Sequence, residues 1–296
     1  MDGLIVIDKP VGPTSHDVVV RMRRVLGERR IGHTGTLDPN ASGVLPLVVG
    51  RATRLAKFLS AERKRYEAIV QLGIATDTYD SEGAQVGSRW TGRIPSRAEI
   101  DDVLAMYRGT FVQQPPAYSA KKIDGERAYH SARAGAAVMP AAVSVTVNRL
   151  DILDLVGDEL SLRVDCSAGF YVRSLAHDLG QRLGVGAHLS ALRRTGAGTL
   201  TLDDAIPLEF AERGRDDAMD ALLPLEAMLP HFAALVLTDE GLLRALHGRN
   251  IGVAEVASGS AVATAPMRLL DQRGQLVGIG EPTDVRGVLH PSVVLR

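Results

Sequence analysis

Residues 32–50 read GHTGTLDPNASGVLPLVVG. The stretch opens on a glycine-bracketed His-Thr, passes through Leu-Asp-Pro, and ends in a nearly unbroken apolar run. GVLPLVVG has the length and composition of a buried strand, so Asp38 falls in a tight turn just ahead of it. An aspartate before proline is common in turns, where its side chain bonds nearby backbone N–H groups. The glycines at 32, 35 and 43 point the other way, because they let the backbone approach a ligand closely. A carboxylate on a turn beside a rigid strand is also well placed to act on a bound substrate.

Upstream, LIVIDKPVGPTSHD predicts a strand, a Pro/Gly loop and a helix with Thr14 or Ser15 as N-cap. Val18, Met22, Val25 and Leu26 repeat at helical spacing. Downstream, RATRLAKFL predicts a short helix, and KRYEAIVQLG a strand with Tyr66, Ala68, Val70 and Leu72 on one face. Ser96 and Glu99 form a capping-box pattern at the start of a further helix. VSVTVNRLDIL and LSLRVDC alternate as antiparallel neighbours joined across DLVGDE, and YVRSLAHDLGQRLG predicts a helix. Strands and helices mix without a regular βαβ cadence, which predicts an α+β fold with a mixed or antiparallel sheet. The texture changes near residue 230. LTDEGLLRALHGRN predicts one helix, and AVATAPMRLLDQRGQLVGIGEP a strand pair turned at Asp271 to Gly274. The expected division is a main domain over 1–229 and a small β-rich domain over 230–296.

The chain has 296 residues, 45% hydrophobic and 23% charged, which suits a folded protein and argues against disorder. Its apolar runs fall short of the roughly 20 residues of a membrane span. The acidic start MDGLIVIDKP does not resemble a signal peptide, so a cytoplasmic location is expected. Cys166 is the only cysteine, which excludes an intramolecular disulfide and a multi-cysteine metal cluster. The net charge of −1 hides an asymmetry: residues 1–65 hold 12 Lys/Arg against 6 Asp/Glu, and residues 201–296 hold 8 against 14. RMRR, ERR, RATRLAK and ERKR all lie in the positive part. They read either as a face for a polyanion such as nucleic acid or as solvated helix faces.

No phosphate-cradling P-loop, no G-x-S-x-G elbow and no clustered histidines occur, so neither nucleotide nor metal chemistry is expected. Tyr66 follows ERKR directly, and an aromatic beside basic residues can stack an unpaired base as well as pack in a core. Arg173 lies near the start of a helix, against the preference for acids there, so it should have a specific partner such as a buried carboxylate. PPAYSAKKIDGERAYHSAR groups Tyr118, Lys121, Lys122 and Arg127 after a Pro-Pro turn, as a phosphate-contacting segment or a polar hairpin.

Six segments in order, IDKPVGPTSHDVV, GHTGTLDPNASGVLPLVVGRATR, KRYEAIVQLGIATDTYDSEG, PPAYSAKKIDGERAYHSAR, CSAGFYVRSLAHDLG and LSALRRTGAG, closely resemble the bacterial tRNA pseudouridine-55 synthase family. They lie within residues 5–198. The resemblance implies a catalytic aspartate at Asp38, a tyrosine against the target base at Tyr66, an arginine paired with the aspartate at Arg173, and a hydrophobic pocket residue at Leu192. It implies that Lys9 and His33 lie close to the active site or the RNA. Separately, the insertion-like segment near 115–140, with Tyr118, Lys121 and Lys122, is expected to clamp the RNA. The C-terminal segment resembles the family's PUA-like RNA-binding domain more loosely. Tyr79 and Phe170 depart from the family pattern, which is more polar at both positions, without altering the aspartate, tyrosine or arginine.

The implied activity is isomerisation of the T-loop uridine at position 55 of tRNA to pseudouridine, by flipping the base out of its stack. It requires no cofactor, no metal, no membrane and no obligatory protein partner. Arg173 is expected to oppose the effect of burial and hold Asp38 ionised. Two other readings remain at this point: an RNA-guided pseudouridine synthase subunit, and an RNA-binding or folding-assisting protein in which Asp38 is only a turn residue. A tRNA-folding role can also coexist with catalysis, since flipping a T-loop base opens the tRNA locally.

Overall fold

The computed structural model describes residues 1–117, 140–260 and 264–295, together with the backbone of two short strands at 122–123 and 126–127. Tyr118 and Lys121 therefore lie outside the described residues. Lys122 is described only as backbone, in the small hairpin pairing Lys122–Ile123 with Glu126–Arg127.

The chain begins with β1 (Gly3–Lys9), α1 (Ser15–Leu26), β2 (Ile31–His33), β3 (Ala41–Val49), α2 (Ala56–Ala61) and β4 (Lys64–Leu72). They join an eleven-stranded mixed sheet. β1 and β3 pair antiparallel from Gly3↔Val49 to Lys9↔Gly43. The strand Ala187–Ala197 then lies between β3 and β4, parallel to the first and antiparallel to the second. Beyond β4 come the hairpin strands Glu159–Cys166 and Val143–Val156, then Gly109–Gln113. The expected α+β architecture is present.

Burial explains the two hydropathy patterns. β1 and β3 sit where the sheet is covered on both faces, so β3 reads as an apolar run. One face holds Ile5, Ile7, Leu45 and Leu47 with α1 and the helix Val172–Leu183. The other holds Leu4, Val6, Val44 and Val48 with Leu276, Ile279 and Val293 of the C-terminal sheet. β4 has only one fully covered face, and its residues alternate strictly between buried and half-buried. That helix lies tightly on the sheet because Gly180 has no side chain to strike the Ala187 backbone.

Helix α1 is capped by Thr14, whose hydroxyl accepts from Asp17 N at 3.0 Å while Asp17 caps Thr14 in return. Ser96 and Glu99 form the expected capping box on the helix Arg97–Leu104. Two expectations are corrected. The link DLVGDE shrinks to Gly157-Asp158, since the flanking strands run to Val156 and resume at Glu159. The helix from Thr238 covers only Asp239–Leu246, stopping before Gly248, whose φ of +67° is left-handed.

The C-terminal part forms its own five-stranded sheet within residues 234–294, with Met267–Leu270 and Leu276–Pro282 as the expected strand pair. Its core contains Leu235, Leu237, Ile251 and Leu269. Arg51 and Arg54 donate to the Leu295 and Val294 carbonyls, and Lys57 pairs with Glu281 at 2.9 Å, tying α2 and its lead-in to this sheet. No helix among the described residues is long and apolar enough to cross a membrane.

Candidate active site

Asp38 hangs from the turn between β2 and β3, where the parallel strand joins the sheet. Ala41 pairs with Leu192 and Gly43 with Arg194. Gly43, at φ +102°, permits this join, because a β-carbon there would be driven into the Arg194 backbone. Arg194 in turn pairs across to Tyr66. The turn is anchored from several directions. Ala41 N donates to Asp38 O at 3.1 Å and Gly12 N to Pro39 O at 2.8 Å. Ser15 Oγ donates to Leu37 O and accepts from Leu37 N, at 3.0 and 2.8 Å. Lys9 Nζ donates to the Ala41 and Pro10 carbonyls at 2.7 and 2.8 Å.

The Asp38 carboxylate faces Arg173, with Oδ2 3.0 Å from Nε. The same guanidinium places Nη1 3.2 Å from Asp80 Oδ2 and donates to Thr78 O at 3.3 Å. Arg173 is thus held between two carboxylates at the start of its helix. Asp38, Tyr66, Phe170, Arg173, Leu192 and Arg194 all line one cavity of about 250 Å³.

Arg173 opposes the effect of burial on Asp38, as expected, without cancelling it. Burial raises the Asp38 pKa above its ordinary value; Arg173 opposes this, Asp80 adds to it and Lys9 opposes it weakly. The side chain is 37% exposed. That exposure is to the cavity, whose walls limit hydration, and Arg173 divides its attraction between two acids, so desolvation prevails. Burial also pushes the Tyr66 phenol up, with the Arg194 guanidinium opposing it.

The structure brings Asp38, Tyr66, Arg173 and Leu192 together and leaves other expected residues outside. His33 is not among the cavity-lining residues; its Nδ1 accepts from Gly35 N at 3.4 Å. Lys9 lies close to the site as a strut: it is fully buried, with its ammonium bonded to carbonyls beneath the Asp38 turn. Phe170, one of the two departures from the family pattern, lines the same cavity as Asp38.

Sequence reasoning passed over Asp80, Lys64 and Arg194. Lys64 Nζ donates to the Glu62 carbonyl at 2.7 Å and is lowered to about 8 by burial, with the Arg194 charge adding to the shift. Arg194, 1% exposed, donates to the Val44 and Gly35 carbonyls at 2.6 and 3.1 Å. Extending the alternation of Tyr66, Ala68 and Val70 backwards puts Lys64 on the inward face, a signal available in the sequence. A more open cleft of about 340 Å³ lies between α2 and Glu281, but its charges are matched locally, Lys57 with Glu281 and Glu62 with His231. The Asp38 cavity is the better candidate because Asp38 faces open space there.

The TruB family pseudouridylate synthase N-terminal domain model matches residues 23–172, and the tRNA pseudouridylate synthase B C-terminal domain model matches residues 173–230. The chain belongs to the TruB family. It is 42% identical over 297 residues to the tRNA pseudouridine synthase B of Solibacter usitatus, covering 100% of both chains. It is 46% identical over 248 residues to that of Geobacillus thermodenitrificans, covering 81% of this chain and 82% of the relative. A solved Cbf5-Nop10-Gar1 complex contains a chain with 27% identity and a TM-score of 0.77, over 99% of this chain and 85% of that one. The boundary between the two TruB models cuts through the candidate site: Asp38 and Tyr66 fall in the first, Arg173, Leu192 and Arg194 in the second.

Proposed function

We propose that this TruB-family chain converts the T-loop uridine at position 55 of tRNA to pseudouridine, with Asp38 as the essential carboxylate. The observation that carries the reading is the Asp38–Arg173 contact of 3.0 Å in a cavity lined by Tyr66 and Leu192. A cavity of about 250 Å³ suits one extruded base rather than a duplex. The tRNA substrate is supported by relatives named tRNA pseudouridine synthase B at 42% and 46% identity.

The reaction breaks the glycosidic N–C bond, turns the base and rejoins it through a ring carbon, which then loses its proton while the freed ring nitrogen takes one up. Ionised Asp38 acts as a nucleophile or stabilises the developing sugar cation. Tyr66 stacks on the base while Leu192 closes the apolar side. Flipping costs a few kcal/mol, offset by these contacts and by phosphate contacts from the basic N-terminal part. Residues 1–229 form the catalytic unit in this reading, and 230–296 a PUA-like unit that binds RNA beyond the T-loop.

The test incubates an unmodified tRNA transcript with purified protein and maps pseudouridine by carbodiimide primer extension, with Asp38→Asn alongside. A stop at the T-loop uridine with wild type only is expected. Full modification by Asp38→Asn would remove the carboxylate from the mechanism. No stop with either protein despite tight tRNA binding would favour a binding protein or a guide-dependent subunit.

A further inference from the structure

Asp80 reaches Arg173 from a loop with an unusual backbone. Tyr79, the residue before it, has φ +66°, in a region that side-chain-bearing residues rarely adopt. The loop is bolted in place around it: Leu189 N donates to Tyr79 O at 2.9 Å and Thr76 Oγ1 to Asp80 O at 2.7 Å. Thr78 Oγ1 and Glu82 N donate to Asp80 Oδ1 at 2.6 and 3.1 Å, leaving Oδ2 for Arg173.

The Tyr79 ring lies nearly flat on His177, with centroids 3.8 Å apart and planes inclined by 18°. His177 follows Arg173 by four residues on the same helix, so the two side chains share a face. Its buried Nδ1 has no hydrogen-bond partner among the described residues. Two successive loop residues, Tyr79 and Asp80, therefore grip two helix residues one turn apart. We propose that Tyr79 is a positioning residue: its stack on His177 holds the left-handed loop so that Asp80 fixes the Arg173 guanidinium with Nε directed at Asp38. The inference rests on the proposed role of Asp38 and adds the device that aligns its partner.

The test compares single-turnover pseudouridine formation on an unmodified tRNA transcript across the acid side of the pH profile. Wild type, Asp38→Asn, Tyr79→Ala, Tyr79→Phe and His177→Ala are measured, with Tm alongside. The charged groups bearing on Asp38 are Arg173, Asp80 and Lys9. Around the stack they are Asp178, which bears on Tyr79, and Arg182, which bears on Asp178. Tyr79→Ala and His177→Ala are expected to slow the reaction about ten- to a hundredfold, the scale of a small misplacement at a reacting centre. Both should move the acid limb to higher pH, because a misaligned Arg173 supports ionised Asp38 less well. Tyr79→Phe, which keeps the stack, should restore rate and limb.

A lower Tm with wild-type rate and limb in Tyr79→Ala would overturn the inference, reducing Tyr79 to a packing residue. So would a Tyr79→Phe as impaired as Tyr79→Ala. Should Tyr79→Ala fail to fold, His177→Ala interrogates the grip from the helix side, and an unchanged limb there overturns it equally. An inactive wild type defeats the proposed function itself; active wild type, inactive Asp38→Asn and unchanged Tyr79→Ala defeat only this inference.

Discussion

The wall and the floor of the Asp38 cavity both bury cations, and they neutralise them differently. On the wall, Arg173 lies between the carboxylates of Asp38 and Asp80. In the floor, Lys64 and Arg194 donate to backbone carbonyls, as does Lys9 beneath the Asp38 turn. A carboxylate cancels a full charge, whereas a carbonyl offers only a dipole. The wall is thus a closed ion cluster that tunes one acid, while the floor retains a net positive charge. An RNA substrate brings negative charge, and a floor of this kind favours it without occupying the space needed by the base. The floor also shows why burial alone does not identify a catalytic residue: Lys9 is more buried than Asp38 and supports the turn.

Replacing Arg173 with Leu should separate the two regions most strongly. It leaves two carboxylates without their shared cation, a change expected to cost about 3–5 kcal/mol in denaturant unfolding. Asp38 should then titrate still higher, so the rate at neutral pH should fall steeply and recover partly in alkali. A rate that is equally low at every pH would mean that Arg173 contributes geometry alone.

Lys9→Met strikes the floor. It strips the Ala41 and Pro10 carbonyls of their donor, for an expected loss of about 1–3 kcal/mol. Activity should fall less than in Arg173→Leu, because the Asp38–Arg173 contact survives. Loss of activity as complete as in Asp38→Asn, in a folded protein, would give Lys9 a direct part in the chemistry.

The most gradual effect is a pH dependence of stability. Burial lowers both Lys9 and Lys64 to about 8 from 10.5. Between those values the unfolded chain binds more protons than the folded one, so stability rises with pH. Below about 8 the full cost of burying the charged ammonium is present, and each lysine contributes at most about 3 kcal/mol across the window. Urea unfolding at the two ends should show the rise, and Lys9→Met should roughly halve it, leaving the Lys64 part. A rise of the same size in that variant would assign it to other groups.

Much of this was legible in the sequence for local reasons. Glycines and an Asp-Pro turn marked Asp38, and strict alternation placed Tyr66 on an inward face. Arg173 stood out because a cation at a helix start needs a partner elsewhere. What stayed hidden depended on distant segments. Arg194 sits in a basic cluster that hydropathy assigns to the surface, and only the fold brings up the Val44 and Gly35 carbonyls that satisfy it. Lys9 carried a weak cue, since it continues the inward alternation of Ile5 and Ile7. Asp80 carried none: its meeting with Arg173 spans 93 residues of sequence.

The central claim is that burial outweighs Arg173 and leaves Asp38 a weaker acid than an ordinary aspartate. Carbon-13 detected titration of the aspartate carboxyl groups, with Asp38 assigned through Asp38→Asn, tests it directly. A midpoint above the ordinary aspartate range, moving higher in Arg173→Leu, is the predicted result. A midpoint at or below that range in the wild-type protein would contradict the account.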